Sequence, residues 1–129
     1  FVPVLDGRRG FFYGALFRRG GGGRPIREAE DQVASLAELA DVLEGPAWVL
    51  GAGADEFLRG LEASGDGRGY RRGLAEWDQP HAATLARLSL EPLAESSFDR
   101  ETVHSLSPAY LRPSEPEIVL ARKLAGEDR

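Results

Sequence analysis

Residues Val2 to Phe17 read VPVLDGRRGFFYGALF. The apolar run Val2-Pro3-Val4-Leu5 stops at Asp6-Gly7-Arg8-Arg9-Gly10, and a second apolar run, Phe11 to Phe17, follows directly. Two apolar runs joined by a short Asp/Gly segment predict an antiparallel β-hairpin, with strands at about Val2–Leu5 and Gly10–Phe17. Along the second strand, Phe11, Tyr13, Ala15 and Phe17 share one face, while Phe12, Gly14 and Leu16 share the other. Apolar residues on both faces predict a central strand covered on both sides.

The elements that follow would supply the cover. Arg18-Arg19 and Gly20–Gly23 read as a flexible turn; a phosphate-cradling loop is the alternative, but no Lys-Ser/Thr follows the glycines. Pro25 to Val33 reads as a polar edge strand returning along strand two. Ser35 and Glu38 form a capping box, opening a helix to about Leu43 that Gly45-Pro46 ends. Ala47–Leu50 reads as a short buried strand running into Gly51-Ala52-Gly53-Ala54. A helix over about Asp55–Ala63 follows, with Phe57, Leu58 and Leu61 inward. Strand, helix, strand, helix is the grammar of a parallel crossover.

Ser64 to Gly73 is glycine-rich and reads as a mobile loop. Asp78-Gln79-Pro80 would then start a helix, with Asp78 as cap, Pro80 and His81 in its first turn, and Pro92 as its end. Ala94–Ser107, which contains His104, reads as a polar loop, and Leu106–Arg112 as an extended segment. From Glu117 a tail is helical in pattern through about Ala125.

Composition narrows the class. With 129 residues, 42% hydrophobic and 29% charged, the chain suits one globular domain, taken here as 1–129 with residues 113–129 as a C-terminal tail helix. The absence of cysteine removes disulfides, thiolate metal sites and a cysteine nucleophile, and fits a cytoplasmic setting. No apolar run approaches the roughly 20 residues that span a bilayer, so no membrane partner is expected. The chain begins at Phe1 and holds no methionine, which reads as a piece of a longer protein cut just ahead of a strand. A net charge of −5 argues against direct, tight binding of nucleic acid, and the pairs Arg8-Arg9, Arg18-Arg19 and Arg71-Arg72 read as solvated surface.

No assembled active site is visible, and no catalytic or metal-binding residue is assigned. Asp6, at the end of strand one, is a candidate for holding a divalent ion or orienting a nucleotide phosphate. It has no partner carboxylate, and Asp and Gly are in any case good hairpin-turn residues. Gly51 and Gly53, between a strand and a helix, are candidates for an anion site built of backbone amides. Tight strand-to-helix packing explains these glycines equally well. His81 and His104, the only histidines, lack neighbours at metal-ligand spacing, and no Gly-x-Ser-x-Gly elbow occurs. Asp55-Glu56 and Glu115/Glu117 read as helix-start charges.

Four segments, in order, resemble one family. Leu5-Asp6-Gly7-Arg8-Arg9-Gly10-Phe11-Phe12-Tyr13 resembles the "LDARRGEVY" hairpin that opens the second half of the bacterial TsaB (YeaZ) family. Val49–Ala54 is similar to its "VGDGA" turn, Pro80–Leu88 to its "P-x-A-x-x-L-A" helix, and Ser107–Arg112 to its closing "P-x-YLR" signature. Departures are Gly7 for Ala, Phe11 for an acidic residue, Ala52 for Asp, and the glycine-rich Gly20–Gly23.

The resemblance implies an α/β fold, a ribonuclease-H-like half of the actin/sugar-kinase/Hsp70 superfamily. It also implies an N-terminal half with a "GPGSFTGLR"-type loop, absent from this sequence. The implied function is that of a non-catalytic subunit, formerly grouped with M22 glycoproteases. It supports threonylcarbamoyl transfer to the adenosine beside the anticodon of tRNA. TsaD-like and TsaE-like proteins are the implied partners of the intact protein, pairing in the family mainly through the N-terminal half, with tRNA met only indirectly and a homodimer as a further open alternative. ATP and divalent metal would act only through partner subunits. The rival readings are a metal-dependent hydrolase or a nucleotide-binding module of the same superfamily.

Overall fold

A computed structural model describes residues 1–43, 45–66, 69–96 and 98–126. The chain divides into two units, Phe1–Ser97 and Phe98–Arg129. The first holds the sheet.

In the first unit β1 (Val2–Asp6), β2 (Phe11–Arg19) and β3 (Pro25–Ser35) form an antiparallel meander. Helix α1 (Leu36–Val42) leads to β4 (Trp48–Leu50), and α2 (Ala54–Ser64) leads to β5 (Arg71–Arg72). The five strands lie in the order β3-β2-β1-β4-β5. Both β1–β4 and β4–β5 pair in parallel, so β2 alone runs against the other four. The protein is thus mixed α/β, with a five-stranded mixed sheet and helices packed on it.

The hairpin forms as its sequence predicts, with Val4 opposite Gly14 and Asp6 opposite Phe12. At its tip Arg8 and Arg9 take left-handed φ of 63° and 55°. Such backbone costs about 1–2 kcal/mol for a residue with a Cβ. β2 runs through Arg18 and Arg19, which the sequence reading gave to a turn; Arg18 Nε pairs there with Glu28 of β3 at 2.8 Å. The capping box at Ser35 is present, the Glu38 N–H donating to Ser35 Oγ at 3.4 Å and the Ser35 N–H to Glu38 Oε2 at 2.8 Å.

Helices α1 and α2 share one face of the sheet. Their Leu39, Phe57 and Leu61 pack against Val2, Val4, Phe12 and Val49. Phe12 and Phe57 meet edge to face with centroids 5.3 Å apart, the geometry aromatic pairs prefer. The expectation that strand two is covered on both sides is therefore corrected. Phe12 and Gly14 face the core, whereas on the other face the small Ala15 is buried but Phe11 is 40% exposed, and Tyr13 and Phe17 are only half-buried. The physical reason is that both crossover helices lie on the same side.

The glycine-rich segment 64–73 is not simply a loop. Gly65 caps α2 in a left-handed conformation, the Tyr70 hydroxyl donates to Leu43 O at 3.1 Å, and β5 completes the sheet; residues 67 and 68 of that segment lie outside the described residues. Helix α3 (Ala82–Glu95) begins after Pro80 and runs through Pro92 instead of stopping there. Asp78 does not cap it; His81 stands at the N-cap without a side-chain bond. Asp78 is drawn away to β5 and the turn after β4.

In the second unit α4 (Arg100–Ser105) occupies a stretch read as polar loop, capped by Asp99, whose carboxylate accepts from the Thr102 N–H at 2.8 Å. His104 lies in its last turn. Helix α5 (Glu115–Ala125) opens on a capping box of Ser114 and Glu117; the Glu115 side chain and residues 127–129 lie outside the described residues. Among the described residues no helix is long and apolar enough to cross a membrane.

Candidate functional site

β1 and β4 are parallel neighbours, so their carboxyl ends emerge at one edge of the sheet. In open α/β sheets this edge is where ligands bind. Asp6 ends β1, and Gly51 to Gly53 follow β4. The three residues singled out from sequence thus come together in space.

Their geometry explains why the turn carries glycine. Gly51 has φ of +100°, and a Cβ there would lie 2.4 Å from Val4 O. At Gly53 a Cβ would lie 2.8 Å from the Asp6 nitrogen. The Gly53 N–H donates to Val4 O at 3.0 Å. Backbone therefore packs directly on backbone, which only residues without a Cβ allow.

The amides of Gly51, Gly53 and Ala54 are engaged within the chain. The Ala54 N–H donates to Gly51 O at 3.0 Å, and the Gly51 N–H donates to Asp78 Oδ1 at 2.9 Å. A carboxylate of the chain itself thus sits where a phosphate would approach the Gly51 amide. Arg72 of β5 holds that carboxylate in place: its Nη1 donates to Asp78 Oδ1 at 3.0 Å and its Nη2 to Asp78 Oδ2. Arg72 Nη1 also donates to Gly73 O at 3.0 Å, and Nε to Asp55 Oδ1, in the first turn of α2, at 2.6 Å. A bidentate guanidinium–carboxylate pair is the stronger and more directional form of ion pair.

Exposure ranks the two carboxylates. The side chain of Asp78 is 17% exposed and that of Asp55 74%, so solvent screens the Asp55 branch far more. The Arg72 guanidinium, bonded first by Asp78 and then by Asp55, is held more firmly charged than usual. The Arg72 hydrogen bonds, helped by the Gly51 amide, hold the Asp78 carboxyl below the ordinary carboxylate range. Together these groups staple β4, β5 and the start of α2. Chemically this is a closed clamp, carrying two carboxylates on one guanidinium, and an incoming anion would have to displace Asp78.

Asp6 is exposed, and its Oδ1 accepts from the Arg8 N–H at 2.7 Å, an Asx-type turn at the hairpin tip. Among the described residues no group of three or more His, Cys, Asp and Glu side chains is placed to hold a metal ion.

The sequence reading missed the clamp. The sequence pattern places Arg72 on solvated surface and Asp78 at a helix cap. Asp55 does open α2, as expected, but it also reaches Arg72. An Asp before Pro80 satisfies the pattern of a cap, and nothing local distinguishes it from one.

Compared with protein-family models the chain matches none, and no curated protein matches it.

Proposed function

We propose that this chain is a ribonuclease-H-like half of the actin/sugar-kinase/Hsp70 kind, belonging to a TsaB-like subunit. That subunit supports threonylcarbamoyl transfer to tRNA adenosine without catalysing it. The observation that carries the proposal is the sheet: a meander, then two crossovers through helices, in the order β3-β2-β1-β4-β5 with only β2 reversed. A mixed sheet of this kind, with helices packed on it, supports that reading. The segment resembling "LDARRGEVY" falls on the β1–β2 hairpin and that resembling "VGDGA" on the turn after β4, at the same sheet edge.

A subunit role is favoured over a nucleotide-binding one by how the candidate groups are used. Asp6 closes its own turn and the Gly51 amide is bonded to Asp78, so both serve the fold. On this reading the intact protein that carries this chain pairs with TsaD-like and TsaE-like partners in the cytoplasm, and ATP and metal are handled by those partners.

Co-purification tests the proposal. The protein that carries this chain, expressed with the TsaD homologue of the same organism, is expected to elute with it. Separate elution under several salt conditions refutes the partnership. Calorimetry with ATP and magnesium supplies the other arm: micromolar binding that disappears in Asp6→Ala would overturn the non-catalytic reading in favour of a nucleotide module.

A further inference from the structure

Helix α5 is capped at both ends, by the Ser114–Glu117 box and by the left-handed Gly126. Among the described residues of 98–126, however, none is buried. A helix of 11 residues is marginal in water even with good caps, so α5 needs a surface to pack against.

Its own surface carries a ridge and a groove side by side. Leu120 and Leu124, one turn apart, stand 57% and 79% exposed. Beside them Pro113, Glu117, Ile118, Ala121, Arg122 and Ala125 line a shallow groove of about 330 Å³, with no large side chain at the two alanines. Glu117, Leu120, Ala121 and Leu124 follow one another at i, i+3, i+4 and i+7, so ridge and groove adjoin along one stripe.

Charge runs along the same helix with a polarity. Glu117 is fixed near the start, its Oε2 accepting from the Ser114 hydroxyl at 2.7 Å and the Ser114 N–H at 2.6 Å. Arg122 and Lys123 occupy the last turn. A parallel helix of the same kind would set like charges side by side. An antiparallel one sets each carboxylate against a cation and aligns the two helix dipoles favourably.

We propose that α5 pairs antiparallel with α5 of a second copy, about a two-fold axis at Leu120. Glu117 then faces Lys123 of the second copy, and the leucines of each chain enter the groove of the other, as an isologous contact requires. The occupant is a second copy because ridge, groove and charge order are complementary to themselves. Acidic and basic residues balance over 98–126, so the net charge of −5 is carried elsewhere and does not oppose this contact. Helices about 16 Å long bury well under the roughly 1,200 Å² of a lasting interface, so the dimer is reversible and weak. This pairing is distinct from one through an N-terminal half and stands independently of the proposed function.

The chain has no cysteine, so single introduced cysteines report the register. With the axis at Leu120, residue 121 lies about 3 Å along the helix from its copy and residue 125 about 15 Å. Bridging needs Cα atoms within about 7 Å, so under mild oxidation Ala121→Cys is expected to give covalent dimer at least about tenfold faster than Ala125→Cys. Both positions are exposed, so neither substitution threatens the fold. Lys123→Glu added to Ala121→Cys should slow crosslinking at least about threefold. Sedimentation equilibrium of the unmodified chain should show a monomer–dimer equilibrium that Leu120→Asp abolishes. Equal rates at 121 and 125, crosslinking untouched by Lys123→Glu, or a chain monomeric at every concentration would each overturn the pairing, the last leaving the stripe to another protein.

Discussion

Phe12→Ala is expected to cost about 3–5 kcal/mol of folding free energy. Phe12 is only 4% exposed and packs edge-on against Phe57, itself fully buried. A buried aromatic ring withdraws about 150–250 Å² from water, worth up to about 4–6 kcal/mol at about 25 cal/mol per Å². Alanine keeps a small share of that, and the lost aromatic pair and the residual cavity add to the cost. Tyr13, the next residue on β2, faces the open side and is half-buried, so Tyr13→Ala should cost only about 1–2 kcal/mol. Urea unfolding of both variants at unchanged m-value measures the difference. Domains of this kind hold about 5–15 kcal/mol in all, so the Phe12 variant loses a large fraction of its stability. Equal losses at the two positions would mean that β2 is covered on both sides. A loss below about 1 kcal/mol at Phe12 would refute the assignment of the core to this face.

Three further outcomes are expected. Asp78 has a folded pKa below its unfolded value of about 3.9. Its contribution to stability is therefore complete above that value and is lost as pH falls through the lower, folded pKa. Asp78→Asn should remove this part of the acid dependence, and matching stability–pH curves for the two proteins would contradict the clamp. Gly51→Ala, placing a methyl where Val4 O lies 2.4 Å away at a φ of +100°, should cost more than about 2 kcal/mol in thermal unfolding; a neutral result would refute the close backbone packing. Ser35→Ala removes the hydroxyl that caps α1 and should cost about 1 kcal/mol by the same assay.

What could be read in the sequence was local. The β1–β2 hairpin follows from two apolar runs and a turn, and the start of α1 from Ser35 and Glu38 three residues apart. The strand at Trp48–Leu50 and the inward Phe57 and Leu61 of α2 follow from short-range patterning. What escaped was set at long range or by elements too short to show a period. β5 has two residues and exists through its pairing with β4. Asp78 finds its role at Gly51, 27 positions away, and at Arg72. Pro92 predicts a helix end because proline removes one backbone donor, yet α3 continues a further turn, with Ser96 Oγ donating to Pro92 O at 2.5 Å. Helix α4 did carry a signal, Asp99 followed three residues later by the Thr102 N–H it caps, but its turn-rich surroundings obscured it. For the candidate site, Asp6, Gly51 and Gly53 were legible as residues, and their gathering at one sheet edge follows from β1 and β4 running in parallel. The clamp that engages Gly51 was not legible.

Modified nucleosides give the most direct test of the proposed subunit role. Bulk tRNA is digested from cells depleted of the protein that carries this chain, and threonylcarbamoyladenosine is quantified by mass spectrometry. The account predicts a loss of that nucleoside, restored when the protein is supplied again. A level unchanged by depletion would contradict it.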